Sequence, residues 1–166
     1  MWLFMYVCYF MGIVTYALFV VSGLQGIVGF LVLETSHATF AFLTTIVYLF
    51  SQTLAIFFFI GTSANIREYL DLKQQTPRTS ALLTQARFIR SGVSGQIYLN
   101  ILLFLAQAVL GGAIATNTVP RFLHGSLVSA AFLHFHYMLW REHIGFRDMT
   151  KIVIAMSAQD QTDRES

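Results

Sequence analysis

Charge is placed along this chain in four blocks, and the gaps between them decide what it can fold into. The ten basic and eight acidic residues stand at Glu34, from Arg67 to Arg90, at Arg121, and from Arg141 to the C-terminus. Four uncharged stretches remain, each long enough for the roughly 20 apolar residues that cross a bilayer as a helix. Only 11% of residues are charged and 56% are hydrophobic, against about 25% charged in soluble domains. The pattern predicts an all-α integral membrane four-helix bundle with spans at about 2–33, 38–65, 91–117 and 122–140. These form a single domain, 1–156, followed by a polar tail, 157–166, that is expected to fray. With the chain consumed by four spans and one internal connection, no separate soluble catalytic domain is expected.

The links set the topology. Glu34, Thr35, Ser36 and His37 join the first two spans as a tight antiparallel hairpin, and Thr118, Val119, Pro120 and Arg121 join the last two. Pro120 suits a helix start, where its missing N–H would be unpaired anyway. Arg67, Lys73, Arg78, Arg87 and Arg90 fall in the internal connection, and Arg141, Arg147, Lys151 and Arg164 follow the fourth span. Only Arg121 lies in the other links. The positive-inside rule therefore gives an up-down-up-down bundle with both termini cytoplasmic; the localisation expected, with the bacterial resemblance described below, is a bacterial inner membrane. The same asymmetry accounts for the basic balance through contact with lipid headgroups, so no nucleic acid is implied.

Residues 66–90 read as a cytoplasmic helical hairpin extending spans two and three, broken at Pro77, with Arg67 and Asp71 at i, i+4. Residues 1–33 carry no charge and run too long for a signal peptide, so they are expected to stay as a span. The single Cys8 has no internal disulfide partner and reads as a small buried hydrophobe.

Among five histidines, His37 and His124 stand out. Each opens a helix that runs inward from the outer face, so the two sit at nearly equal depth on helices two and four, the diagonal pair of such a bundle. Two histidines placed so are what bis-imidazole ligation of a b-type haem requires. Gly23, Gly26, Gly29, Gly111, Gly112, Ala113, Ala115, Gly125 and Ser126 cluster at that depth, where they leave room for a macrocycle or let backbones approach. Arg121 could hold a haem propionate. A rival reading is an outer-face copper or iron site from Glu34, His37 and His124, since Glu34 and His37 at i, i+3 share a helix face. A third is that both histidines are polar residues at the headgroup boundary.

His134 and His136 point about 200° apart on a helix, and His136 and His143 share a face about 10 Å apart, so neither pair chelates one metal. His143, beside Arg141 and Glu142, reads as interfacial, with one of His134 or His136 facing the bundle. Gln25, Gln52, Asn100 and Gln107 read as interhelical hydrogen-bond partners. The spans carry no Asp or Glu, which weighs against proton- or ion-coupled transport. No Gly-rich phosphate loop, Cys-x-x-Cys pair or nucleophile constellation announces a self-contained enzyme.

Phe59, Ile60, Gly61 and Thr62, followed by Ile66, Arg67 and Glu68, together with Gly111, Gly112 and the run from Pro120 to His124, resemble a small group of bacterial four-span membrane proteins. The resemblance covers most of the chain from His37 to His143 and implies the four-span fold; it brings no activity. The stretch from His143 to Asp148 is similar to the end of succinate dehydrogenase membrane anchors. It departs from them in lacking a Ser-x-x-His-Arg stretch and in having four spans instead of three.

Taken together, the residues point to a membrane subunit of a multisubunit respiratory or photosynthetic redox complex. Its partners would be other membrane subunits, lipid, and quinol or an outer-face electron carrier, and its cofactor haem b. The alternative is a cofactor-free subunit that packs against larger membrane partners and stabilises their assembly.

Overall fold

A computed structural model describes residues 2–72, 77–115 and 119–165. They form four helices, α1 (Trp2–Val28), α2 (His37–Leu72), α3 (Pro77–Ala115) and α4 (Arg121–Glu165), and no strand. Lys73, the end of the third stretch at Asn117, Thr118 and Ser166 lie outside the described residues.

Around an apolar core, polar side chains are buried while large apolar ones face outward. Gln52 and Asn100 are fully buried, as are Thr15 and Gln25 to within 1%, while Leu3, Phe10, Ile27 and Leu102 face outward with more than half their surface exposed. Such an arrangement is stable where the solvent is hydrocarbon and polar groups gain by finding one another. Three segments, Trp2–Val28, His37–Leu72 and Ser80–Ile114, are long and apolar enough to cross a membrane. α4 is not among them; His124, His134, His136 and His143 dilute its N-terminal half, and its C-terminal half is charged.

α1 stops earlier than the hydropathy pattern predicts. Gly29 takes a left-handed conformation (φ 78°), and its N–H donates to the Gln25 carbonyl at 2.9 Å, which caps the helix end. Leu33 (φ 49°) and Glu34 (φ 59°) are also left-handed, as the two central positions of a type I′ turn require. Thr35 closes that turn, its N–H and hydroxyl both donating to the Val32 carbonyl at 2.9 and 2.7 Å. Gln25 reaches over from α1 to donate to the Thr35 carbonyl at 2.9 Å. Ser36 then caps α2, accepting from the Thr39 N–H at 3.3 Å.

The backbones pack in sequence around a square: α1 on α2, α2 on α3, α3 on α4. α1 and α4 meet mainly through side chains. At mid-depth the interior is filled by Phe19, Tyr48, Phe104 and Phe135, with Phe19 stacked on Phe104 at 4.3 Å between ring centroids. A second aromatic group, Tyr9, Phe58, Phe59 and Phe146, lies nearer the N-terminal end of α1. There Gly145 is obligatory, because a Cβ would stand 2.7 Å from Val93 and 2.9 Å from Phe59.

Past the start of α1 the other helices continue together. Ile66 and Leu70 of α2, Ala86 of α3, and Ile152 and Met156 of α4 are buried there, and the Tyr69 hydroxyl donates to the Met156 carbonyl at 3.3 Å. The extension is thus a three-helix stalk. The sequence pattern gives only the α2–α3 hairpin and a frayed tail, because the polar residues after Met156 hide the fact that α4 continues as one helix.

Candidate functional site

The bundle holds polar side chains at three depths. At the end nearest the α1–α2 turn, His37 opens α2 and His124 lies one turn into α4. Each imidazole is seated against a glycine of its hairpin neighbour. The ring of His37 comes within 2.9 Å of where a Cβ on Gly26 would stand, and that of His124 within 3.3 Å for Gly111. A Cβ at either position would displace the ring, so these glycines let the rings rest where they do, a use of small residues distinct from backbone approach. His37 is exposed and His124 half-buried. Nδ1 of His124 is buried and has no hydrogen-bond partner. Glu34 sits exposed at the turn tip and Arg121 exposed at the start of α4. Among the described residues no three His, Cys, Asp or Glu side chains lie close enough together to hold a metal ion, so Glu34, His37 and His124 are not brought together as a set.

At mid-depth Asn100 organises a network. Its Nδ2 donates to the Ala131 carbonyl at 3.1 Å and to His134 Nδ1 at 3.0 Å, and its Oδ1 accepts from the Tyr48 hydroxyl at 2.8 Å. Since an amide nitrogen only donates, His134 Nδ1 is an acceptor and the ring proton sits on Nε2, 3.2 Å from Gln96 Oε1. Of the polar residues expected to pair across helices, Asn100 does so. Gln25 bonds instead to the turn, and neither amide atom of the fully buried Gln52 has a partner.

The third depth holds what the sequence reading missed. α1 and α4 are joined by two tyrosine–histidine pairs, Tyr16 with His136 at 3.1 Å and Tyr9 with His143 at 2.9 Å. Between and beside them lies a cleft of about 270 Å³, lined by Cys8, Tyr9, Gly12, Tyr16, Glu142 and His143 among others. Glu142 is the one charged side chain buried among the described residues, 6% exposed, and its Oε1 has no hydrogen-bond partner. The spans taken from the charge blocks end at Trp140, which put Arg141, Glu142 and His143 at the surface. In the folded chain only His143 is exposed; Arg141 is half-buried beside Gly92, with its Nε unpartnered. The legible signal was a matched spacing of seven: Tyr9 and Tyr16 on α1, His136 and His143 on α4.

The chain matches no family model, no curated protein and no solved structure.

Proposed function

We propose that this chain is a four-span membrane subunit of a multisubunit redox complex in a bacterial inner membrane, with both termini cytoplasmic, holding a b-type haem at its outer end through His37 and His124. The observation that carries the reading is His124 Nδ1, an imidazole nitrogen buried without a partner at the outer end of the helix diagonal to that of His37. A buried nitrogen left unpaired costs free energy, and a bond to a haem iron would satisfy it. His37 makes no side-chain hydrogen bond and is exposed at its helix start, so its ring turns at little cost.

Ligation requires both rings to leave the Gly26 and Gly111 notches and turn toward the bundle axis. The filled aromatic layer at Phe19, Tyr48, Phe104 and Phe135 confines any macrocycle to the outer end. Bound there, the haem would supply one-electron chemistry. Arg121, exposed one turn before His124, would pair with a propionate. As for α4, its helix is long enough to span, and an imidazole, which has an uncharged form, is cheaper to bury than a fixed charge.

A reduced-minus-oxidised absorption spectrum of the purified complex tests the proposal. A b-type α-band is expected, absent from a His37→Ala, His124→Ala double variant.

The second reading, a cofactor-free assembly subunit, is favoured by the same filled aromatic layer and by large outward side chains such as Phe57 and Leu102, 60% and 63% exposed. Its signature is an unchanged spectrum in the double variant, with lower yield of the complex when the chain is deleted.

A further inference from the structure

We propose that Arg141 holds the phosphate of an anionic phospholipid at the α3–α4 seam, on the inner boundary of the membrane. Arg141 is the first charged residue after the fourth uncharged stretch, and Gly92 on the facing helix lies two residues after Arg90, where the third stretch begins. The two positions mark the same boundary on neighbouring helices. They also meet: a Cβ on Gly92 would stand 3.3 Å from Arg141 Nη2, so the guanidinium rests on bare α3 backbone. Gly95, nearly one turn further along α3, is exposed and has nothing within 4 Å of where its Cβ would stand, which keeps this stretch of α3 open. Tyr137, one turn before Arg141 on the same face of α4, and Trp140 are both exposed, with ring centroids 6.0 Å apart. Exposed Tyr and Trp are the side chains that settle at a headgroup boundary.

The guanidinium lacks any acceptor within the chain. Arg141 makes no hydrogen bond or ion pair with a described residue. Of its three nitrogens only Nε is both buried and unpartnered, so the two amino groups reach the surface with their donors free. Further along α4 the basic groups are already paired, Arg147 and Lys151 sharing Asp148 at 3.1 and 3.2 Å. The neighbouring carboxyl, Glu142, lies about 100° further round the helix and lines the cleft on the α1 side instead. A guanidinium presents a fixed fork of donors that matches two oxygens of a phosphate at once. On the lipid side of the seam the phosphodiester is the acceptor at this depth, and basic pockets between spans on the cytoplasmic side suit anionic headgroups. A headgroup with no ammonium of its own leaves that phosphate free for the fork. Arg87 and Arg90 add positive charge at the same boundary, but they lie about 140° and 160° round α3 from Gly92, so the direct contact is assigned to Arg141. The site is separate from the outer-end histidines and does not depend on a haem there.

The test is tryptophan fluorescence of the full chain in lipid vesicles, in a Trp2→Phe background that leaves Trp140, beside Arg141, as the sole tryptophan. Brominated phosphatidylglycerol and brominated phosphatidylcholine, each diluted into unbrominated phosphatidylcholine, quench Trp140 according to how often each lies against it. The glycerol lipid is expected to associate at least about fivefold more tightly, the equivalent of about 1 kcal/mol for one basic residue at a lipid surface. Arg141→Gln should bring the ratio near one. Arg141→Lys, which keeps the charge without the fork, and Gly92→Leu, which displaces the guanidinium, should each remove most of the preference while helicity is retained. Arg87→Gln removes the same charge from the same side and should leave the ratio unchanged, as should an excess of soluble glycerol phosphate. Three results would overturn the proposal. A ratio near one in the parent chain would leave Arg141 to a carboxylate of a neighbouring subunit, an equal fall with Arg87→Gln would point to a diffuse surface field, and displacement by glycerol phosphate to a soluble phosphate ester.

Discussion

Removing the Asn100 side chain isolates the polar network at the centre of the bundle. Asn100 is fully buried and its amide engages the Tyr48 hydroxyl, the Ala131 carbonyl and the His134 ring, each at 2.8 to 3.1 Å. Asn100→Ala breaks all three. It also strands the Tyr48 hydroxyl, whose ring is packed among Phe19, Phe104 and Phe135 and has no water to turn to. Interhelical hydrogen bonds in membranes average about 0.6 kcal/mol and reach about 1.7, so three give a loss of about 2–5 kcal/mol. Reversible unfolding in mixed micelles reads this directly, with Gln107→Ala as the control because Gln107 is only half-buried. A Tyr48→Phe, Asn100→Ala double variant should lose less than the sum of the single losses, since both act through one bond. If Asn100→Ala cost no more than Gln107→Ala, the assigned network would be wrong.

Other positions give sharp outcomes. Gly145→Ala places a methyl 2.7 Å from Val93 and 2.9 Å from Phe59, neither of which has space to withdraw, and should destabilise by about 1–3 kcal/mol in the same unfolding assay. Leu33→Gly relieves a left-handed residue at an exposed turn tip and should stabilise or leave stability unchanged, because the roughly 1–2 kcal/mol of strain is offset in part by the greater entropy of glycine in the unfolded chain. Single cysteines at Glu34 and at Ser157 in a Cys8→Ser background should react with a membrane-impermeant maleimide from opposite sides of intact inner-membrane vesicles. Equal labelling from one side would contradict the proposed orientation.

The helical fold was legible because charge is so unevenly placed: each helix follows an uncharged stretch, and only residues 30–36 and the course of α4 departed from it. The tight link between the first two helices was read at Glu34 to His37 and lies a few residues earlier, because the uncharged run to Leu33 hides the end of α1 at Gly29 and the left-handed Leu33 and Glu34 are not turn residues by type. The stalk was half read, since the α2–α3 hairpin shows in the sequence while α4 alongside it is known only from long-range packing. At the site, spacing along one helix was readable: it gave His37 at the start of α2 and His124 one turn into α4. Side-chain direction was not, which is why the glycine notches under both rings appear only in three dimensions. Glu142 was read as surface because a carboxylate between Arg141 and His143 resembles a headgroup cluster. In the folded chain it lines the cleft shared with Cys8, Tyr9 and Gly12 of α1, an arrangement of segments more than a hundred residues apart.

The ferric complex gives the most direct reading of the central claim. Electron paramagnetic resonance of the purified wild-type complex should show a low-spin haem with two imidazole axial ligands, converted to a high-spin or haem-free state by either His37→Ala or His124→Ala alone. A complex with no haem signal, or one whose bis-imidazole signal survives both substitutions, would contradict it.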